Sequence, residues 1–231
     1  MSILVNDVVS AMESLFPPET AESWDHVGLS VGTPEAHHPL YLRGTHSVAT
    51  TTAKGSWTSR LIKSDVALYS AHTNADVAAS TVALANLLGV TLERALDTET
   101  GIGGVGSIAP LPLLDFAQLV TKVLPEVPAG VLVGGDPELR VERVAICSGS
   151  GDSLLQAANE AGADVYLTAD LRHHPATDHL WNGGCALVSA THWATEWPVL
   201  AIMRDQLLSE LAVPVETYIS QIPTDAWFAR L

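Results

Sequence analysis

The sequence predicts an α/β protein of two related halves, and three observations carry that reading. In the second half, apolar strand-like runs alternate with helical patterns, the order that gives a mostly parallel sheet with crossover helices. The tripeptide His-His-Pro occurs twice, at His37-His38-Pro39 and His173-His174-Pro175. Each copy is followed, after an intervening segment, by an apolar strand that ends in Ser-Ala and then a histidine. These are VALYSAHTNAD in the first half and ALVSATHWATE in the second, a matched order that points to duplicated halves, 1–112 and 113–231.

Taken in order, Val5, Val8, Val9, Met12, Leu15 and Phe16 fall at helical spacing. SWDHVGLSVG follows, then TPEAHHP with no strand before it. A Ser/Thr-rich stretch leads into a helix around Ser56 to Ile62, DVALYS reads as a buried strand, and Asp76 to Leu88 as a helix stopped by Gly89. VTLERALD is a strand ahead of the Gly-rich GIGGVGSIAP, and a helix spans about Leu113 to Leu124. Asp136-Pro137 marks a turn. VERVAIC (strand), SGSGDS (turn), LLQAANEAG (helix), ADVYLTA (strand) and DLRHHP (polar loop) come next, then CALVSA as a strand and Thr195 to Leu211 as a helix.

Comparison of the halves exposes a gap. A strand, a turn, a helix and a further strand lead into His173, whereas only TPEA separates Gly32 from His37. By that yardstick the first half lacks ~25 residues, about one helix, one strand and their loops.

Composition narrows the function classes. With 26 acidic against 11 basic residues, a formal net charge of −15, and no concentrated basic patch, nucleic acid is not an expected partner. No apolar run reaches bilayer length, and the acidic N-terminal stretch is not a secretory signal, so a cytoplasmic protein without a membrane partner is expected. Cys147 and Cys185 each lie in an apolar run, and without a Cys-x-x-Cys pair a thiolate zinc site is excluded.

The chemistry lies in the histidines. His72 with Asp76 and His192 with Glu196 form two His-x-x-x-acid pairs, each directly after a predicted strand. Residues i and i+4 share a helix face, and ligands in α/β sheets gather at the carboxyl ends of strands. Imidazole with carboxylate suits zinc, manganese, iron or nickel, and a carboxylate can bridge two ions. Two pairs plus the vicinal His37-His38 make a candidate ligand set for two divalent metal ions. Either His72 or His26 could move protons, and a packed or surface role is expected for His46 and His179. GIGGVG matches a dinucleotide fingerprint by letter but lacks the strand before it and the helix after it. SGSGDS could hold an anion or be a simple capped turn. Asp170, His173 and His174 would line a substrate mouth or bind nothing.

AESWDHVGLSVG, HHPLYLRGTHSV, SAHTNAD, GIGGVGSIAP, ADVYLTADLRHHP, HWATEWP and TDAW run in order from Ala21 to Trp227. Together they resemble the Nif-three-like, GTP cyclohydrolase 1 type 2 homolog family. The resemblance implies a Nif-three-like fold with a shared metal cleft, here with the first half shortened by a strand and a helix. It also implies metal ligands His37, His38, Asp76, His192 and Glu196, with Glu196 as the bridge and His72 as a neighbouring catalytic group. A homohexamer acting as a metal-dependent hydrolase on a nucleotide-like substrate is the implied function. Its alternatives are a non-catalytic metal- or partner-binding protein and a metal-dependent phosphoesterase. His26 stands where the family's SWDNVG motif has Asn.

Overall fold

In the computed structural model, residues 3–32, 47–211 and 213–231 are described. Contacts divide the chain into two compact units, Met1–Ala78 with Leu200–Tyr218 and Ala79–Val199 with Ile219–Leu231.

The first unit opens with α1 (Val5–Leu15), which turns Ala11 and Met12 inward, with Phe16 fully buried just beyond its end. Strand β1 (Gly28–Gly32) pairs antiparallel with β2 (Ala67–Ser70), with a bulge between Leu29 and Val31. Between them lies α2 (Ala53–Lys63), capped by the Thr52 hydroxyl, which accepts from the Gly55 amide. All four residues of β2 are buried, as its apolar run predicts. A short helix α3 (Thr73–Ala75) then runs into a wide π turn, Asp76–Ser80.

The second unit holds a six-stranded sheet. Its helices and strands follow as α4 (Thr81–Leu88), β3 (Thr91–Arg94), β4 (Gly104–Pro112), α5 (Leu113–Val123), β5 (Leu132–Gly134) and β6 (Arg140–Ser150). They continue as α6 (Leu155–Glu160), β7 (Val165–Ala169), α7 (His173–Trp181), β8 (Ala186–Ala190) and α8 (His192–Glu196). The strand order is β3-β4-β6-β7-β8-β5. The last helix, α9 (Val199–Leu211), belongs from Leu200 onward to the first unit, and its Met203 and Leu207 are buried.

Alternation along the central strands builds two cores. Val144 and Ile146, Val165 and Leu167, Ala186 and Val188 face one side, against Leu84 and Leu88 of α4 and Leu113, Phe116 and Val120 of α5. Ala145 and Cys147, Tyr166 and Leu187 face the other, against Leu155 and Ala158 of α6. Helices therefore cover both faces of the sheet centre, and both faces of those strands must be apolar.

Five sequence expectations change. TPEAHHP, expected to have no strand before it, follows β1 in the chain. The sheet is parallel only at its centre, β6-β7-β8; β3, β4 and β5 pair antiparallel, because a tight Gly-rich connection such as that between β3 and β4 cannot carry a crossover. The expected helix from Asp76 begins as the π turn and becomes α-helical only at Thr81. His173-His174-Pro175 is not a loop but the first turn of α7, where a proline's missing amide costs nothing. The expected helix Thr195–Leu211 is two helices: α8 starts earlier, at His192, and Trp197-Pro198 separates it from α9.

A candidate metal-binding site at the strand ends

In the second unit the parallel strands finish level, Ser150 opposite Ala169 and Ala169 opposite Ala190, and the polar residues gather just beyond. Thr191 caps α8 by accepting from the Ala194 amide, and its own hydroxyl donates to Asp225 Oδ2 at 2.7 Å. That cap makes His192 the first residue of the helix and brings Glu196 onto the same face one turn later. His192 Nε2 lies 2.8 Å from Glu196 Oε1, and Nδ1 lies 2.7 Å from Asp170 Oδ2. Asp170 reaches the ring from the end of β7 in a left-handed conformation, φ 53°, which only a few non-glycine residues adopt and which clusters at functional sites.

The end of β6 closes over this pair. The Gly149 amide donates to Thr195 Oγ1 at 2.9 Å, and that hydroxyl donates to the His192 carbonyl at 2.9 Å. Gly149 has φ 65°, and a Cβ there would stand 2.3 Å from Glu196 Oε1 and 3.2 Å from His192 Nε2. The SGSGDS segment is thus shaped to pack on the site and on β7: the Tyr166 hydroxyl donates to the Gly151 carbonyl at 2.9 Å. A cavity of about 540 Å³ lined by Ser150, Asp152, Ser153, Asp170, Arg172 and Pro175 opens beside Asp170.

The Glu196 carboxylate beside His192, which outweighs the partial desolvation of the ring, and the Asp170 carboxylate raise its pKa from 6.5 to about 9. The folded-state value exceeds the ordinary one, so the stabilisation is fully present below about 6.5 and is lost as pH rises through about 9. In metal-free protein the His192 ring signals should titrate near 9, and Glu196→Gln should move the midpoint down. NMR titration of the ring protons checks this, and an unshifted midpoint in the variant would contradict it.

In the first unit, His72 is the residue before α3, and its amide donates to Asn74 Oδ1 at 2.8 Å. The Asn74 side-chain amide donates to the Phe16 carbonyl at 2.7 Å, fixing the SAHTNAD segment to the end of α1. His72 Nδ1 lies 3.0 Å from Asp25 Oδ2, which also accepts from the Thr73 amide at 3.1 Å and the Thr73 hydroxyl at 2.8 Å. Burial works to raise the Asp25 pKa, but the Thr73 and His72 hydrogen bonds outweigh it and hold the carboxyl below its ordinary value. The Asp76 amide donates to the His72 carbonyl at 3.0 Å, so the acid follows the histidine by one turn.

Of the residues expected at the site, His192 and Glu196 are brought together, and His72 and Asp76 are held in one turn. His37 and His38 lie outside the described residues, as does His46. His26, next to Asp25 in the chain, is exposed. His179 is buried, with Nε2 donating to the Cys185 carbonyl at 2.9 Å, the packed role expected of it. Among the described residues no three His, Cys, Asp or Glu side chains gather into a metal-binding group. What fits an ion is the donor pair itself: an imidazole with Nδ1 on a carboxylate and Nε2 beside Glu196, under a glycine where a methyl would collide. Sequence reading missed Asp25, Gly149 and Thr195: Asp25 meets His72 47 residues on, and Gly149 meets Thr195 46 residues on.

Fold and site together define an α/β protein with a His-acid pair at the carboxyl ends of parallel strands. The chain belongs to the Duf34/NIF3 (NGG1p interacting factor 3) family, whose profile matches residues 35–226. It is 38% identical to the "GTP cyclohydrolase 1 type 2 homolog" of Streptomyces coelicolor, over 98% of this chain and 94% of that protein. The Mycobacterium tuberculosis protein of the same name is 27% identical, over 98% of this chain and 97% of its own. Among solved structures, a Bacillus cereus protein related to NIF3 superposes with a TM-score of 0.86 at 20% identity, covering 96% of this chain and 98% of its own. Reduced HcgD from Methanocaldococcus jannaschii gives 0.73 at 25% identity, covering 90% and 94%. The resemblance read from the ordered motifs and the Nif-three-like fold are thereby confirmed. The Streptomyces alignment runs over 269 residues against a chain of 231, so that relative has at least 38 residues, the difference between the two, without a counterpart here.

Among the described residues no helix is long and apolar enough to cross a membrane.

Proposed function

We propose that this chain holds two divalent metal ions through His37, His38, Asp76, His192 and Glu196 and hydrolyses a nucleotide-like small molecule. The observation that carries the reading is the His192–Glu196 pair at 2.8 Å with Asp170 on the far ring nitrogen, in a chain whose relatives bear the cyclohydrolase name. Carboxylate–imidazole pairing of this kind fixes a ligand's tautomer and raises its basicity. Bound ions would lower the pKa of water and polarise the bond under attack. In this reading His72, held on Asp25, moves a proton, and the Asp170-lined cavity takes a polar substrate. Deprotonation of His192 must accompany ion binding, so affinity should rise with pH toward about 9. In this reading the protein works in the cytoplasm as a homo-oligomer, six subunits by family resemblance, without nucleic-acid partners.

A second reading, a metal-binding protein without turnover, draws on the 38 or more residues the Streptomyces relative has in excess. Incubating metal-loaded protein with GTP separates the possibilities. Released formate, abolished by His72→Ala, supports the cyclohydrolase reaction; released phosphate makes it a phosphoesterase. Neither product, with ions bound, leaves the non-catalytic reading.

A further inference from the structure

We infer that Asp25 is the positioning residue of His72, fixing its imidazole as the Nδ1–H tautomer so that the ring meets its substrate through Nε2. The inference rests on the proposed proton-moving role of His72. The Asp25 side chain is fully buried, and the His72 side chain is only 10% exposed, so their contact is largely shielded from solvent. One carboxylate oxygen, Oδ2, collects three donors: His72 Nδ1, the Thr73 amide and the Thr73 hydroxyl. The Thr73 hydroxyl in turn accepts from the Glu22 amide at 2.9 Å, so that donor is itself tied down. Trp24, the neighbour of Asp25, meets the His72 ring edge-on, centroids 6.0 Å apart and planes at 75°. The ring is thus held by its nitrogen and flanked by a second aromatic ring.

The second unit repeats the device with different parts. Asp170 Oδ2 takes His192 Nδ1 at 2.7 Å. Asp25 precedes its histidine by 47 residues and Asp170 by 22, so the two carboxylates are not the same position in a simple repeat. What the units share is the chemistry, a carboxylate on Nδ1 of the histidine that opens each His-x-x-x-acid turn. A buried imidazole offered only acceptors at Nδ1 keeps its proton there.

The test is long-range ¹⁵N–¹H correlation spectroscopy on the metal-free full chain labelled at histidine, with His72 assigned by His72→Gln. In the wild type, once the ring is neutral at alkaline pH, the proton should reside on Nδ1. Asp25→Ala leaves Nδ1 without its acceptor and should shift the proton toward Nε2, leaving the His192 signals unchanged. In the metal-loaded protein the same variant should keep its ions and KM and lose kcat about 10- to 100-fold. A wild-type Nε2–H ring, or an Asp25→Ala ring still held wholly as the Nδ1–H tautomer, would overturn the inference. Should Asp25→Ala fail to fold, the wild-type spectrum decides alone. Because the tautomer is read without metal, a chain that binds no ions would sink the proposed function and leave this result standing.

Discussion

Glu196→Ala is expected to weaken divalent-ion binding by at least about 100-fold, since loss of a direct ligand should exceed the 10- to 100-fold typical of its supporting partners. Glu196 is 7% exposed, its oxygen lies 2.8 Å from His192 Nε2, and no second carboxylate on α8 can replace it. The same substitution removes the charge that holds the His192 proton, so the ring should titrate back toward its ordinary range. Glu196→Gln keeps the shape but not the charge, and should bind ions more weakly than wild type while preserving the fold. Calorimetric titration with zinc or manganese on the metal-free protein measures both variants. Wild-type affinity in Glu196→Ala would remove it from the ligand set.

Gly149→Ala should damage the site and the fold together. The residue sits at φ 65°, where a side chain costs roughly 1–2 kcal/mol, and its Cβ would stand 2.3 Å from Glu196 Oε1. Something must move, and the nearest movable group is the Glu196 carboxylate. For a chain of this size the backbone cost alone corresponds to a fall in Tm of about 2–8 °C. Gly162→Ala is the matched control: its φ is 67°, but a Cβ there meets nothing within 4 Å. Both variants should lose thermal stability, and only Gly149→Ala should lose bound ions. Equal ion content in the two would mean that the close approach to Glu196 has no functional weight.

How much of this was legible in the sequence depended on the range of the interaction. VERVAIC, ADVYLTA and CALVSA announced β6, β7 and β8, because strands covered on both faces must be apolar throughout. GIGGVG, without a helix after it, became the turn into β4 and not a nucleotide loop. His192 and Glu196 were visible because an i,i+4 pair after a strand is a local pattern. Asp170 was visible only as a residue of the substrate mouth, and its grip on His192 Nδ1 depends on β7 and β8 lying side by side. Asp25 and Gly149 were invisible as site residues, since nothing in SWDHVG or CSGSG encodes a partner 47 residues away. A buried acid inside the apolar SWDHVGL run was the one signal available for Asp25. DLRHHP reads as a polar loop by composition, yet the first helical turn has no amide bond to lose, so Pro175 sits within the opening of α7.

The measurement that tests the central claim most directly is the number of divalent ions bound per chain, by mass spectrometry of the purified, metal-supplemented protein alongside His192→Ala and His38→Ala. The account predicts about two ions per chain in the wild type and fewer in both variants. A wild-type chain that holds no ion after supplementation would contradict it.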